Sequence, residues 1–447
     1  INEQNVIGLC HYVNEREKRK EKSIPSKGQR MNILIIGNGF DLAHGLPTKY
    51  ADFLKFIDFF YKHKAQESSR LELIAGEDIH CYKYFTDLFN SKQDSEFDQY
   101  LYDQSRKTIH ELSDLCKDNA WIKYFSEVYK SREQKGKDGW IDFESEISLI
   151  IQTFNSVSRD IQETIQKGGV GTVLSQRQLN VLALFLEKMD SSSGMATHVW
   201  KKEEIDFWKQ KLLEDLNKLT RALEIYLSDY ISNFMLGNGL PDIKNLPYLD
   251  KILSFNYTCT YQRIYGEHPF LEFDYVHGKA DLRNDIQSTN MVLGIDEYLE
   301  GDARDKDLEF IEFKKFFQRI HKETGGLYEG WLEEIQSEKK IYEISAIVKE
   351  NGIVKKHHRV VKYHKVFIFG HSLDITDKDI LRKFILNENV KIIIFYTDKE
   401  DYKKKIINLI KIIGQDELVK RTGGKNKTIV FQKINTCTLE SDSMREK

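Results

Sequence analysis

Three short segments of the chain are apolar almost without interruption: "NILIIG" (Asn32 to Gly37), "KVFIFG" (Lys365 to Gly370) and "VKIIIFYT" (Val390 to Thr397). A strand with one wet face alternates apolar and polar residues, so runs this continuous belong to strands covered on both faces. Such strands are parallel, and parallel strands need helical crossovers. The intervening sequence supplies them. Thr48 followed by "KYADFLKFIDFFYKH" sets Tyr50, Phe53, Leu54, Ile57 and Phe60 at helical spacing, with a helix start near Pro47 or Thr48. "TDKDILRKFIL" separates the second and third apolar runs, and "KEDYKKKIINLIKIIG" leads from the third toward an edge strand in "KTIVFQKI". Two more strands, within "YLDKILSFNYT" (Tyr248 to Thr258) and "LEFDYVHG" (Leu271 to Gly278), end in polar residues. The expected class is α/β.

At 447 residues the chain has room for two or three domains, or for one α/β domain with large α-helical insertions. From Trp140 to Phe234 the pattern is helical: "WIDFESEISLIIQTF" reads as one amphipathic helix and "LNVLALFLEKMD" as a second. From Lys202 onward, Leu212, Leu216, Leu219, Leu223, Tyr226, Tyr230 and Phe234 recur every three or four residues, which reads as a packed core face rather than a dimer seam. Asp305 to Ile335 is again helical, broken at Gly325 and Gly326. The expected organisation is a disordered extension over 1–30, a first part of the core over 31–139, a helical insertion over 140–245, a second part of the core over 246–435 with a helical insertion near 300–345, and a tail over 436–447.

A net charge of −3 offers no general attraction for nucleic acid or an anionic membrane, so neither partner is expected. The five cysteines are scattered, with no C-x-x-C pair, which argues against structural zinc and a disulfide framework and suits a reducing cytoplasm. No apolar run approaches the roughly 20 residues of a membrane span, and no signal peptide is visible. The histidines of "HHRVVKYH" (His357, His358, His364) lie in a lysine-rich hairpin or loop and read as solvated, so no metal is expected.

"GNGFD" (Gly37 to Asp41) closes the first strand. A dehydrogenase turn needs a small residue three places after its second glycine, where this chain has Leu42, and no Gly-Lys-Ser/Thr follows to make a nucleotide-triphosphate loop. What survives is a glycine bend whose N–H groups could receive a phosphate, with Asp41 facing a ribose hydroxyl or capping a turn. Other strand ends are polar as well: Asn256 in "SFNYT", His277 in "YVHG", and Gly370, His371 and Ser372 in "FGHSL". Taken singly, each has a plainer use: Asn256 in an Asx turn, His277 as a satisfied turn histidine, Ser372 as a helix cap. Taken together, they would converge on one crevice at the carboxyl ends of a parallel sheet. Glu144 in "WIDFESEI" is an alternative acid or base if its helix covers that crevice, and a solvated carboxylate otherwise.

"ILIIGNGFDLAHGLPTKYADFL" closely resembles the opening signature of the AbiH family of bacteriophage abortive-infection proteins. "WIDFESEI", "ILSFNYT", "VHG", "FKKFFQRI" and "VFIFGHSLDITDKDI" look like its later landmarks in the same order, over roughly residues 31 to 400. The resemblance implies a role in phage defence, with a phage or host protein as trigger and homo-oligomerisation left open. A second likeness lies in the order Gly-x-Gly, Asn, His-Gly and Gly-x-Ser, which is similar to the sirtuin-like NAD-binding fold and implies a parallel Rossmann-like (sirtuin-like) sheet. It implies NAD as substrate, with Asn256 orienting a water or the nicotinamide ribose and His277 as general base. Gly37, Asn38, Gly39, Phe40 and Asp41 would hold pyrophosphate and ribose, and Gly370, His371 and Ser372 the adenosine side. The four zinc cysteines of deacylating sirtuins have no counterpart, which disfavours protein deacylation and leaves NAD hydrolysis open. The rival reading is a sensor or adaptor whose nucleotide pocket binds without turnover; the third is a nuclease, for which no paired carboxylates with a lysine on adjacent strands are evident.

Overall fold

The computed structural model describes residues 30–64, 108, 110–134, 141–167, 182–183, 201–233, 239–337, 342–345, 358–361, 363–425 and 427–434. The extension expected over 1–30, except Arg30, the tail over 436–447, most of "LNVLALFLEKMD", Phe234 at the end of the apolar stripe, and His357 lie outside the described residues.

The centre is a six-stranded sheet built from β1 (Asn32–Ile36), β2 (Lys251–Ser254), β3 (Glu272–Tyr275), β6 (His364–Phe369), β7 (Val390–Tyr396) and β8 (Ile429–Lys433). Between β3 and β6 the chain forms a separate antiparallel pair, β4 (Tyr342–Ser345) with β5 (His358–Val361). Every pairing in the main sheet is parallel, in the order β3-β2-β1-β6-β7-β8. The chain therefore leaves central β1 toward one edge and later returns to its other side, so the direction of winding reverses between β1 and β6. At such a reversal the loops on either side diverge and leave a crevice outside the carboxyl ends of the strands.

The continuous apolar runs do what their pattern requires. Along β1, Ile33 and Ile35 face one hydrophobic cluster while Leu34 and Ile36 face another, and all four are essentially inaccessible. At roughly 1.5–3 kcal/mol for each fully buried aliphatic side chain, β1 alone commits the chain to a two-sided sheet. The first face is covered by α8 (Leu327–Ser337), α9 (Lys378–Ile385) and α10 (Lys399–Ile413), through residues such as Trp331, Phe384 and Leu409. The second is covered by Phe40, in the short α1 (Asn38–Ala43), together with Tyr261 and Tyr265 of α6 (Thr260–Tyr265).

A separate core joins α2 (Tyr50–Lys64), α3 (Ala120–Glu133), α4 (Phe143–Lys167) and α5 (Lys202–Ile225), and takes in Met291, Leu293 and Phe313. The stripe Leu212, Leu216, Leu219, Leu223, Tyr226 and Tyr230 lies in it, a packed face rather than an exposed seam. Helix α5 runs on as a π-helical turn, Tyr226–Tyr230, and there Tyr226 donates its hydroxyl to the Pro47 carbonyl at 2.8 Å. Helix α2 starts at Tyr50, slightly later than the sequence suggests, because Thr48 turns its hydroxyl to Asn38 Oδ1 at 2.6 Å while Asp52 accepts the Lys49 N–H at 3.0 Å. The break at Gly325 and Gly326 divides α7 (Lys315–His321) from α8. Among the described residues no helix is long and apolar enough to cross a membrane.

His364 corrects the solvated reading of the histidine run. It opens β6, is fully buried, accepts the Met31 N–H on Nδ1 at 3.2 Å and faces Arg30 Nη1 through Nε2 at 3.0 Å. Burial, with Arg30 adding to it, pushes its imidazole down to about 4. His358 lies in β5, opposite Ser345.

Candidate functional site

A cavity of about 820 Å³ opens outside the carboxyl ends of β1, β2, β3 and β6. Its sheet-side wall carries Gly37, Asn38, Gly39, Asp41, Asn256, His277, Gly370, His371 and Ser372, which are the sequence candidates with one exception. The opposite wall is helical, with Lys49, Tyr50 and Lys55 at the start of α2, Glu144 in the first turn of α4, and Leu223 and Leu227 from α5 and its π extension. Helix α4 thus covers the crevice, the condition under which Glu144 becomes a candidate acid or base.

The exception is Phe40. It is fully buried on the far side of its own backbone, with ring centroids 6.3 Å from Tyr261, 6.1 Å from Tyr265 and 5.9 Å from Phe369. Its ring anchors α1 to the sheet and does not reach the cavity.

The glycine turn also differs from a phosphate cradle. Gly39 donates its N–H to the Gly370 carbonyl at 2.7 Å, Gly37 to Phe369 at 3.3 Å, and Phe40 to Gly37 at 2.8 Å. Those N–H groups are spent within the protein. A Cβ on Gly39 would sit 2.7 Å from the Gly370 oxygen, and one on Gly370, whose φ is +67°, would sit 2.1 Å from the Phe40 nitrogen. The glycines therefore let the ends of β1 and β6 meet backbone against backbone at the reversal point.

Asn256 makes no Asx turn. Its amide reaches across from β2 to donate to the Gly37 carbonyl at 3.0 Å, tying the two strand ends together. Next to it, Asp41 is 1% exposed; Oδ2 accepts the Thr258 hydroxyl at 2.6 Å, and Thr260 donates in turn to Thr258 at 3.0 Å. Oδ1 has no hydrogen-bond partner. Burial raises the Asp41 carboxyl to about 6, against the hydrogen bond from Thr258 and the nearby polar groups of Thr260 and Asn256.

The densest chemistry surrounds Asp377, at the end of the single 3₁₀ turn after β6 (Ile375–Asp377). Its Oδ1 lies 3.4 Å from His277 Nε2 and its Oδ2 lies 3.3 Å from His371 Nε2. His371 accepts the Leu373 N–H on Nδ1 at 2.9 Å, so in the neutral ring the proton sits on Nε2, facing Asp377. His277 is not the satisfied turn histidine of the plainer reading: it is buried, yet its Nδ1 has no partner. Burial pushes its imidazole down to about 4; Asp377 opposes this, while Lys315 and Arg319 add to it. His277 is therefore neutral at physiological pH, with Nε2–H toward Asp377 and an open acceptor at Nδ1. Ser372 caps no helix; Asp374 takes that role by accepting the Thr376 N–H at 3.2 Å.

Behind this layer lies Lys315, 3% exposed, with Nζ 2.6 Å from Glu144 Oε2, 3.7 Å from Asp377 Oδ1 and 3.9 Å from Asp296 Oδ1. Burial disfavours its charge, but these carboxylates outweigh that and hold the ammonium above its ordinary range. In return, and against the same burial, Lys315 and the two imidazoles hold Asp377 well below the usual carboxylate range. Burial drives Glu144 upward and Asp296 to about 7, Lys315 opposing both. Neither Asp377, Asp296 nor Lys315 is a candidate by sequence pattern. The one signal for Lys315 is a lysine three residues before Gln318 on the inward face of a short helix, and for Asp377 an aspartate cluster, "DITDKD", after a buried strand. Among the described residues no group of three or more His, Cys, Asp or Glu side chains is arranged to hold a metal ion.

The arrangement offers a neutral imidazole oriented by a buried carboxylate, a second buried carboxylate with a free oxygen, and a cavity within the usual range of roughly 300–1,000 Å³ for small-molecule sites. A comparison with curated proteins finds no match to the chain. The family model for bacteriophage abortive infection AbiH matches residues 33–398, which spans the sheet from β1 through β7 and every side chain described at the cavity. On that match, the chain belongs to the bacteriophage abortive infection AbiH family.

Proposed function

We propose that the cavity binds NAD or a related nucleotide and that the protein cleaves the bond between nicotinamide and ribose, depleting the cofactor as its contribution to phage defence. The observation that carries this reading is the pair of unpartnered acceptors, His277 Nδ1 and Asp41 Oδ1, buried in the wall of one large crevice at the reversal point of a parallel sheet. Unpaired buried acceptors are costly, and a ligand bearing hydroxyl groups, together with an attacking water, would satisfy both. The order of Gly-x-Gly, Asn, His-Gly and Gly-x-Ser along the chain supports the choice of NAD.

As the nicotinamide N1–ribose C1′ bond breaks, its electron pair leaves with nicotinamide and positive charge develops on the sugar. Water adds to C1′ and loses a proton to His277 Nδ1, whose opposite nitrogen is held by Asp377. The products are nicotinamide, ADP-ribose and a proton. Asp41 would accept from a ligand hydroxyl, and Asn256 would keep the β1 and β2 loops in register below the sugar.

One observation favours the rival, binding without turnover: the N–H groups of Gly37, Gly39 and Phe40 are already paired within the protein and so are withheld from a pyrophosphate. Mass spectrometry of NAD, nicotinamide and ADP-ribose after incubation with purified protein separates the two. Turnover by the unaltered protein, reduced by about 10²–10⁴-fold in His277→Ala while the fold persists, is the expected result. NAD binding with no product favours the sensor, and no binding at all removes the nucleotide reading.

A further inference from the structure

We propose that Lys315 is a positioning residue: it touches no ligand, but its buried charge keeps Asp377 an ionised acceptor, which fixes the His277 proton on Nε2 and leaves Nδ1 the unpaired nitrogen, and the same charge opposes a further proton on the pair. The inference rests on the reading of His277 as the base, and extends it to a residue outside the cavity wall.

The geometry allows little else. Two imidazoles converge on one carboxylate, at 3.4 and 3.3 Å, and His371 is committed to donating because its other nitrogen already accepts the Leu373 N–H. If Asp377 took up a proton it would turn from acceptor to donor toward one of the two rings, and His277, were it the ring that accepted, would have to carry its own proton on Nδ1, removing the unpaired acceptor. A cation beside Asp377 prevents this. Lys315 Nζ, 3.7 Å away and 3% exposed, is that cation. Arg319 contributes to the field at His277 from the next turn of the same helix, and the rings of Phe255 and Tyr257 complete its surroundings. Lys315 is fixed in turn by Glu144 at 2.6 Å and Asp296 at 3.9 Å, which belong to α4 and to the strand-like bridge at Ile295. The cation that acts on the pair thus comes from α7 and is fixed by Glu144 of α4, whereas His277 and Asp377 themselves follow strands of the sheet.

The test reads His277 directly, on full-length protein with ¹⁵N-labelled histidine, and needs no nucleotide. In the unaltered protein at pH 7, His277 should be neutral with its proton on Nε2, and should remain so to about pH 5. In Lys315→Met the His277–Asp377 pair should take up a proton at a pH at least about one unit higher, a tenfold gain in proton affinity, and Lys315→Arg should restore most of the original behaviour. An unchanged midpoint in Lys315→Met, or a charged or Nδ1-protonated His277 in the unaltered protein at pH 7, overturns the proposal; the second measurement stands even where Lys315→Met does not fold. A confirmed titration with no NAD turnover would sink the proposed reaction and leave the charge network in place, so the two failures are distinguishable.

Discussion

The two halves of the sheet-side wall meet the same cavity with opposite chemistry. Around Gly37, Gly39 and Gly370 the backbone groups are paired with one another and the contacts are at backbone distance. Around His277, His371 and Asp377 the side chains are ionisable, crowded around one carboxylate and left with one acceptor that no donor meets. The half that most looks like a nucleotide motif is a joint, and the half with the weaker sequence signature holds the crowded ionisable groups. Glycines after a strand thus say first how closely two strand ends approach, and only then what they can bind.

The comparison can be broken most decisively at Gly370. Its left-handed backbone and the 2.1 Å approach of a methyl group to Phe40 make Gly370→Ala destabilising by about 3 kcal/mol or more in chemical denaturation. A variant of ordinary stability would show that the joint is loose and open to ligand. The next test is the pH dependence of Asp41. Its folded value of about 6 lies above the unfolded 3.8, so its contribution to stability is fully present below about pH 4 and is lost as pH rises through 6. Asp41→Asn removes this dependence, so the variant should gain on the unaltered protein by on the order of 2 kcal/mol between pH 4 and pH 7.5. Parallel stability curves would mean that the free oxygen is already satisfied. The smallest effect belongs to Asn256→Ala, which unties Gly37 from β2 and should cost about 1–2 kcal/mol of stability in urea. If it instead leaves stability intact and abolishes turnover, Asn256 is a ligand-facing group and belongs with His277 and Asp377.

The sheet was legible because its signal is local. β1, β6 and β7 declare themselves by unbroken apolar runs, and Asn256, His277 and His371 follow from the rule that parallel strands present their ends at one side. The rest depends on contacts that no spacing encodes. Lys315 and Glu144 are far apart in the chain and meet only because α4 and α7 pack over the same strand ends. His364 reads as solvated among lysines until β6 is seen to begin there and draw it under Arg30 and Met31. Phe40 sits inside the most recognisable motif, and only the direction of its Cβ removes it from the cavity.

His277 draws its anion from Asp377 and its electrostatic surroundings from Lys315, both of which follow it in the chain, while Glu144 precedes it. A ribosome has to pass Asp377 before these groups can assemble, so nascent chains that end earlier carry the histidine without its anion. On the reading of His277 as a base, the order of the residues would withhold that base until its anion and its cation have both emerged.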